Sequence, residues 1–560
     1  MSEKIKISVV MDDEKPNAEK NGKNTDTLLL TQDSAMTLMP VLLQNRLMDG
    51  SFCGGRGDCG RCVVQFLEGT PLPTGLERAR LTPEELREGY RLACVTRPKG
   101  DCTIRVPGGR DTRTPIVTEV NLPSESIDST GLQKNLSENQ KSDVTKFSEK
   151  QSNGELKNNR YIIVTDLGTT TIAMQLRDMI TGEVADTYCE RNPQRIYGTD
   201  VLARIEASCN GRREELQKLV CESLLRGIRQ FIAYLREKRG TGNRAWEEMQ
   251  IICMCIAGNT TMGHLLMGYD VESLGRAPFV PVETGLQSID ASCLFSGMKN
   301  SRGDETDAVL GEIADFPVYI APCISAFVGG DIVAGLYALG MKENTKTTLL
   351  IDLGTNGEMV ITDGRRMVVT ATAAGPAFEG NGDLIGTDRI ALTANLLRRG
   401  MLDETGLLAE PWFEEGVCIE EQSEAVTAGE QKENKRYFYK EDVRALQMAK
   451  AAVRAGVEIL WEELERPQID CIYLAGGFGY YLDAEAAFAI GLLPSYMRGR
   501  VRAVGNTSLA GAYALGRDLC EGKTDKEILE KSLSDVESIN LAKKENFEKL
   551  YLKYMNLGEN

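Results

Sequence analysis

The sequence predicts two folded bodies of different class, a small sheet-rich α+β module followed by a larger α/β body. Three observations carry that prediction. Residues 53–62, CGGRGDCGRC, hold three cysteines and four glycines in ten positions. Residues 121–160 are rich in Ser, Asn, Lys, Glu and Gln with few large apolar side chains, and such a stretch cannot bury enough surface to offset the entropy of ordering. Beyond it, two apolar runs end in the same four residues, Asp-Leu-Gly-Thr, at 166–169 and 352–355. The chain therefore divides into a module at 1–112, a flexible tether at 113–160, an α/β body at 161–524 and a charged amphipathic tail at 525–560, expected to be a surface helix.

Within the first body, KIKISVV (4–10) reads as an opening strand and 34–48 as an apolar helical stretch leading into the cysteines. VVQFLEG, from Val63, alternates as a half-buried strand should, and CTIRV, from Cys102, offers another short one. In the second body, YIIVTDLG and TLLIDLG are buried-strand runs. Leu216, Leu219, Val220, Leu224, Ile228, Phe231, Ile232 and Leu235 share one face of a helix over 214–235. A second helix is expected over 441–464, with Asp442 near its start and Val443, Leu446, Val453, Val457 and Leu460 facing inward.

Composition narrows the function. With 560 residues, 42% hydrophobic content and net charge −17, the chain is globular and a poor partner for nucleic acid or an anionic membrane. Its first residues lack the apolar core of a secretion signal, and no apolar run approaches the ~18 residues of a membrane span, so a cytoplasmic location is expected. Fifteen cysteines in a reducing compartment are not a disulfide scaffold. A single histidine, His264, excludes any site that needs two imidazoles, and within TTMGHLLMG it reads as a packed or capping residue.

The cysteine spacing is Cys53-x5-Cys59-x2-Cys62, then thirty-one residues to Cys94 in GYRLACVT. Plant-type [2Fe–2S] ferredoxins use C-x4-C-x2-C with a distant fourth cysteine, and the first gap here is one residue longer. A cluster needs four converging thiolates and small residues that let backbone N–H groups approach its sulfides, which accounts for Gly54, Gly55, Gly57 and Gly60. Structural zinc favours two close pairs and fits this spacing poorly. Cys53, Cys59, Cys62 and Cys94 are the candidate metal ligands. Cys102, like Cys253 and Cys255 in IICMCIAG, reads as a small buried hydrophobe.

The two Asp-Leu-Gly-Thr hairpins, VTDLGTTTIAM and LIDLGTNGEMV, lie 186 residues apart by their aspartates and suggest a duplicated fold. Gly lets the backbone turn beside a phosphate, Thr hydroxyls and backbone N–H groups bind its oxygens, and Asp166 and Asp352 can hold Mg2+ directly or through water. A third motif, CIYLAGGFGYYLD, ends a strand in bare backbone at Gly476, Gly477 and Gly479. In this order the three resemble the phosphate-1, phosphate-2 and adenosine motifs of the ASKHA superfamily, which includes sugar kinases, actin and heat-shock ATPases.

The combination resembles one family more narrowly. CGGRGDCGRC, EGYRLAC, DLGTTTIA, NPQRIYGTDVLARI, AGNTTMGHLLMG, FVGGDIVAGL, DLGTNGEM, AAGPAFEG and LAGGFGYYLD are similar to the reductive activators of corrinoid proteins, over nearly all of 1–112 and 161–515. The resemblance implies a β-grasp-like [2Fe–2S] ferredoxin domain joined by a flexible linker to a duplicated RNase H-like ATPase. It implies ATP-dependent reduction of inactive Co(II) to Co(I) on the corrinoid protein of a methyltransferase system, with one electron drawn from a ferredoxin- or flavodoxin-type donor through the cluster. That step runs uphill in potential; about 59 mV corresponds to a factor of ten, or about 1.4 kcal/mol, within reach of nucleotide turnover. ATP and Mg2+ are the implied ligands, with Asp166, Gly168, Thr169 and Thr170 at phosphate-1, and Asp352, Gly354, Thr355 and Asn356 at phosphate-2. Gly476, Gly477 and Gly479 would line adenosine, and Asp200, Glu358 and Asp331 are alternative residues for orienting the attacking water. Family members are commonly homodimers.

Longer members place a small folded domain between ferredoxin and ATPase, and with only 113–160 in that place here, the middle domain reads as reduced. Two other functions fit parts of the pattern. Activators of 2-hydroxyacyl-CoA dehydratases carry a [4Fe–4S] cluster on cysteines within the ATPase, and after residue 161 the one close pair, Cys253-x-Cys255, sits in an apolar strand. An ASKHA kinase acting on a small metabolite leaves the fused cluster with only a sensing role.

Overall fold

The computed structural model describes residues 4–10, 27–45, 47, 62–106, 118–122, 160–238, 250–296, 315–374, 378, 386–419 and 436–558. Cys53 and Cys59, with the glycines between Cys53 and Cys62, lie outside the described residues.

The opening strand forms as expected. β1 (Lys4–Val10) alternates exposed and buried positions and pairs antiparallel with β2 (Thr27–Asp33). The apolar run after it makes a seven-residue helix, Leu38–Gln44. β3 (Val63–Glu68), β4 (Tyr90–Leu92) and β5 (Cys102–Arg105) complete a five-stranded sheet in the order β2-β1-β5-β3-β4, with β1 and β5 parallel. Ile7, Val9, Leu42, Val64, Leu92 and Ile104 are fully sealed in its core.

The second body is built from two six-stranded sheets of matching design. In the first, β6 (Arg160–Leu167), β7 (Thr171–Asp178) and β8 (Val184–Arg191) run as an antiparallel meander. β9 (Gln250–Gly258) then pairs parallel with β6, β11 (Pro317–Ile320) parallel with β9, and β10 (Gln287–Asp290) antiparallel on the outer edge. The second sheet repeats this with β12 (Thr348–Leu353), β13 (Asn356–Thr362) and β14 (Met367–Ala373) as the meander. After a short ribbon of β15 (Val417–Ile419) and β16 (Arg436–Phe438), β17 (Cys471–Ala475) and β18 (Val501–Gly505) add in parallel beside β12. The repeated strand order is that of a duplicated RNase H-like unit, as the twin motifs suggest.

Helices cover the sheets where the periodicity puts them. Arg213–Lys238 buries Leu216, Val220, Leu224, Ile228 and Phe231 against the first sheet, and Lys440–Glu463 buries Val443, Leu446, Val453, Val457 and Leu460 against the second. Each sheet's last parallel strand leads to a helix, Gly330–Ala338 after β11 and Thr507–Cys520 after β18, and these two helices cross one another. The crossing uses bare backbone: a Cβ on Gly511 would stand 1.9 Å from the Ala334 carbonyl oxygen, and one on Gly335 3.0 Å from Thr507 Oγ1.

Two expectations about the connecting and terminal segments are corrected. The tail is not a single surface helix: it divides into a helix Lys526–Leu533, β19 (Val536–Ser538) and a helix Phe547–Lys553. β19 pairs parallel with β14 and so completes the second sheet, while Leu529, Leu541, Tyr554, Met555 and Leu557 are buried. Nor is all of 113–160 free of the body. Residues 118–122 lie along the open edge beyond β18: Val120 makes an antiparallel bridge to Gly505, Asn121 N–H donates to the Val504 carbonyl at 3.0 Å, and Leu122 packs into the core beneath. An open strand edge provides the partners that this segment's own composition lacks.

Candidate functional site

The two Asp-Leu-Gly-Thr motifs form matching tight hairpins that meet at the cleft between the sheets. Gly168 N–H donates to the Thr171 carbonyl at 3.0 Å, and Gly354 N–H to the Asn356 carbonyl at 2.9 Å. A side chain on Gly168 would press within 2.8 Å of that same Thr171 oxygen. Thr170 Oγ1 and Thr355 Oγ1 are 3.2 Å apart, so hydroxyls from the two repeats touch across the cleft.

Behind the first hairpin stand residues that the quoted motifs contain but to which no role was assigned. Asn192 Nδ2 donates to the Gly168 carbonyl at 2.8 Å, and the fully buried Arg204 donates to the Thr169 carbonyl. Asn259 caps the helix Thr260–Leu266 through its Oδ1 and donates from Nδ2 to Thr169 Oγ1 at 2.7 Å. NPQRIYGTDVLARI and AGNTTMGHLLMG thus act as a brace for the phosphate-1 turn. Asp200 belongs to that brace: its Oδ1 accepts from Ala203 N–H at 2.8 Å, capping the helix Val201–Ala207 that carries Arg204.

Four acids gather at the cleft floor. Asp166 ends β6, Asp352 ends β12, Glu358 lies opposite Asp352 on β13, and Asp331 sits in the first turn of Gly330–Ala338. Burial first, then mutual repulsion, pushes Asp352 up to about 8. Burial raises Asp166 to about 7 although Asn506 Nδ2 donates to its Oδ2 at 2.8 Å and opposes the shift. Asp331 rises to about 6 through burial, and Glu358 rises through burial and the charges of Asp331 and Asp352. Among the described residues, no basic side chain is among the charges acting on Asp166, Asp331 or Asp352. Of the three alternatives for orienting water, Asp331 and Glu358 therefore stand in the cluster and Asp200 stands behind the hairpin as a cap. Among the described residues, no three of His, Cys, Asp and Glu are close enough to ligate one ion directly.

The glycines of the third motif differ from one another. Gly476, with φ +81°, starts a short helix Gly476–Tyr481, and a Cβ there would fall 2.4 Å from Asp352 Oδ1 and 2.7 Å from the Leu353 carbonyl. Gly479 is buried, and a Cβ there would stand 3.3 Å from the Leu474 carbonyl carbon, a packing role, whereas Gly477 is exposed. His264 is packed, as expected: Nδ1 is 2.8 Å from the Thr260 carbonyl, Nε2 accepts from Val282 N–H at 3.2 Å, and burial lowers its pKa.

In the N-terminal module, Cys62 and Cys94 are both buried, and Ala93 N–H donates to the Cys62 carbonyl at 2.7 Å, holding the two cysteine-bearing segments together. Glu77 secures the Cys94 turn from below. Its Oε1 accepts from Leu92 N–H at 3.0 Å and Thr96 Oγ1 at 2.5 Å, and its Oε2 from Thr74 N–H at 2.6 Å. Burial opposes ionisation of Glu77, yet these donors together keep its carboxyl below the ordinary value. Paired, enclosed thiols on opposed segments fit half of a four-thiolate cluster site. Cys102 lies in β5 with its thiol pushed up to about 11 by burial, which suits a core residue.

Comparison with known proteins agrees with this division. A model for a 2Fe-2S iron-sulfur cluster binding domain matches residues 22–99. A model for the RACo middle region matches 161–344, and one for the C-terminal domain of RACo, the ASKHA domain, matches 346–388 and 382–560. The region matched by the middle description spans the first six-stranded sheet. Corrinoid activation enzyme RamQ of Eubacterium limosum is 28% identical over 64% of this chain and 65% of its own length, so the match spans just under two thirds of that relative. The [Co(II) methylated amine-specific corrinoid protein] reductase of Methanosarcina barkeri is 23% identical over 70% of this chain and 76% of its own. A solved reductive activator for corrinoid, iron-sulfur protein aligns over 99% of this chain and 98% of its own, at 25% identity and a TM-score of 0.58.

Proposed function

From the premise that this chain belongs to the RACo family, the reductive activators of corrinoid proteins, we propose that it uses ATP hydrolysis to drive the one-electron reduction of a Co(II) corrinoid protein to Co(I). The observation that supports this most directly is the joining of a cysteine-bearing ferredoxin-like sheet to a cleft whose twin hairpins converge on four raised acids. The corrinoid protein of a methyltransferase system is the substrate. A ferredoxin- or flavodoxin-type protein is the donor.

In this proposal Cys53, Cys59, Cys62 and Cys94 hold a [2Fe–2S] cluster, which when bound supplies a one-electron relay. The chain's own residues do the rest. Thr169, Thr170 and Thr355 offer hydroxyls, and Gly168, Gly354 and Asn356 offer close backbone, to the phosphates of ATP. Asp166 and Asp352 hold Mg2+ through water, which neutralises the repulsion they share with Asp331. Asp331, raised to about 6 by burial, is the candidate to accept a proton from the attacking water, and Glu358, raised by burial and by the charges of Asp331 and Asp352, is its alternative. Gly477 leaves space for adenosine at the end of β17. A cytoplasmic location and a homodimer belong to the same proposal; among the described residues no helix is long and apolar enough to cross a membrane.

The test is to mix the purified full chain, carrying its cluster, with ATP, a strong reductant and candidate Co(II) corrinoid proteins, and to follow the Co(I) absorbance. Reduction that requires ATP and is lost in Cys59→Ser supports the proposal. Cobalt reduced equally well by Cys59→Ser, or without ATP, refutes it. Transfer of the γ-phosphate to a small metabolite instead of water would favour the kinase function.

A further inference from the structure

Residues 118–122 hold both halves of the ATPase body at once. On the first sheet, Gln175 of β7, itself 3% exposed, donates from Nε2 to the Thr118 carbonyl at 3.0 Å. On the second, Asn506 N–H donates to the Glu119 carbonyl at 2.9 Å, and Asn121 N–H to the Val504 carbonyl at 3.0 Å. The Tyr480 hydroxyl, on the helix that begins at Gly476, hydrogen-bonds to the Glu119 carboxylate. The approach is close enough that a Cβ on Gly505 (φ +76°) would fall 2.2 Å from the Glu119 carbonyl oxygen. A groove of about 750 Å³, lined by Thr118, Glu119, Gln175, Arg177 and Tyr480, lies beside the segment. Apart from Leu122, the segment covers no packed core and can shift without emptying one.

Asn506 joins this segment to the cleft. Its backbone meets Glu119, its Oδ1 accepts from Leu509 N–H at 2.9 Å to cap the crossing helix Thr507–Cys520, and its Nδ2 holds the Asp166 carboxylate at 2.8 Å. The segment also continues directly from the cysteine module: only residues 107–117 separate Val106 from Thr118. Twelve extended peptide units reach at most about 40 Å, so the strap anchors the module on a short tether.

We propose that residues 118–122 are a strap that responds to closure of the ATPase cleft, and that Asn506 is the positioning residue through which the strap sets Asp166. The proposal rests on the ATPase reading of the cleft. When the two sheets rotate about their crossing helices, the anchors on Gln175 and on Asn506 and Val504 move relative to one another. The strap must then slide or release one end, which displaces the tether of the cysteine module. Nucleotide state and the module's reach thereby become one equilibrium.

The experiment uses the full chain with its cluster. Amide exchange of 118–122 is measured with and without a non-hydrolysable MgATP analogue, with binding of the analogue measured separately by calorimetry. ATP hydrolysis is measured for wild type, Asn506→Ala, Asn121→Pro and Gly505→Ala. Asn121→Pro removes one N–H from the strap and leaves the body intact, so it guards against misfolding of Gly505→Ala. Expected are a nucleotide-dependent change in exchange at 118–122 and a fall of about 10- to 100-fold in kcat for Asn506→Ala with KM for ATP changed less than threefold. A change in kcat in the same direction, smaller in size, is expected for Asn121→Pro. Exchange at 118–122 that ignores bound analogue, together with unchanged kinetics in Asn121→Pro, overturns the strap. Absence of any nucleotide binding by wild type overturns the ATPase reading and the strap with it.

Discussion

Replacing Asp331 by Asn should make the nucleotide-free protein more stable and the enzyme inactive. Asp331 is held near 6 against an ordinary 3.8, and its charge also raises Asp352 and Glu358. A carboxyl raised in the fold contributes stability that is fully present below its unfolded value and is lost as pH rises through its folded value. For Asp331 that window runs from about 4 to about 6, and repulsion on Asp352 extends the penalty to about 8. Two units at about 1.36 kcal/mol each give roughly 3 kcal/mol before solvent access is counted. Because the side chain keeps partial solvent contact, about 1–2 kcal/mol is expected at pH 8 and about half of that at pH 5, the middle of the window. The assay is thermal unfolding of both proteins at the two pH values, with and without MgATP. At pH 8 without nucleotide the variant should melt roughly 2–4 °C higher. With MgATP the difference should shrink, because a bound cation relieves the repulsion that only wild type carries, and hydrolysis by the variant should fall by about 100-fold or more. A variant that melts lower than wild type at pH 8 without nucleotide, or that gains equally at pH 5 and pH 8, would refute the repulsive cluster.

Three further outcomes are expected. Cys94→Ser should remove the visible absorbance and most of the bound iron and sulfide, whereas Cys102→Ser, in the core of β5, should leave both unchanged; equal loss in both would show the fourth ligand to be misassigned. Glu77→Gln removes the charge that three donors share beneath the Cys94 turn and should destabilise the cluster module by about 2–3 kcal/mol, read as bleaching of cluster absorbance at a lower temperature or denaturant concentration. Gly476→Ala places a methyl 2.4 Å from Asp352 Oδ1 at a φ of +81° and should weaken ATP binding at least tenfold in calorimetry, with circular dichroism of the body retained.

Much of the fold was legible because its signals are local. The Asp-Leu-Gly-Thr turns, the helix over Arg213–Lys238 and the alternation in β3 each depend on residues a few positions apart. What was not legible depends on distant partners. β19 is three residues long and becomes a strand only because β14, more than 160 positions earlier, offers an edge. Residues 118–122 read as tether by composition and are ordered by the rim of β18 and by Gly505. In the site, both hairpins with Asp166 and Asp352 were accessible from the motifs, and Asp331 and Glu358, two of three alternatives, separate from Asp200 only once the fold shows which carboxylates face one another. Asn259 and Asn506 carry no signal in the sequence that marks them; the structure shows each capping a helix with its Oδ1 and giving its Nδ2 to Thr169 or Asp166.

The bare-backbone crossing of Gly330–Ala338 and Thr507–Cys520 has a consequence beyond packing. With a carbonyl oxygen 1.9 Å from where a Cβ would stand on Gly511, the two halves meet backbone to backbone, and any change of angle between them turns on this contact. A docking protein that favours one angle between the halves must then alter the affinity for nucleotide, and nucleotide must alter the affinity for that protein by the same factor. Such reciprocity is measurable at equilibrium without a single turnover: the dissociation constant of a corrinoid protein in ATP-analogue and ADP states gives directly how much free energy passes across the pivot.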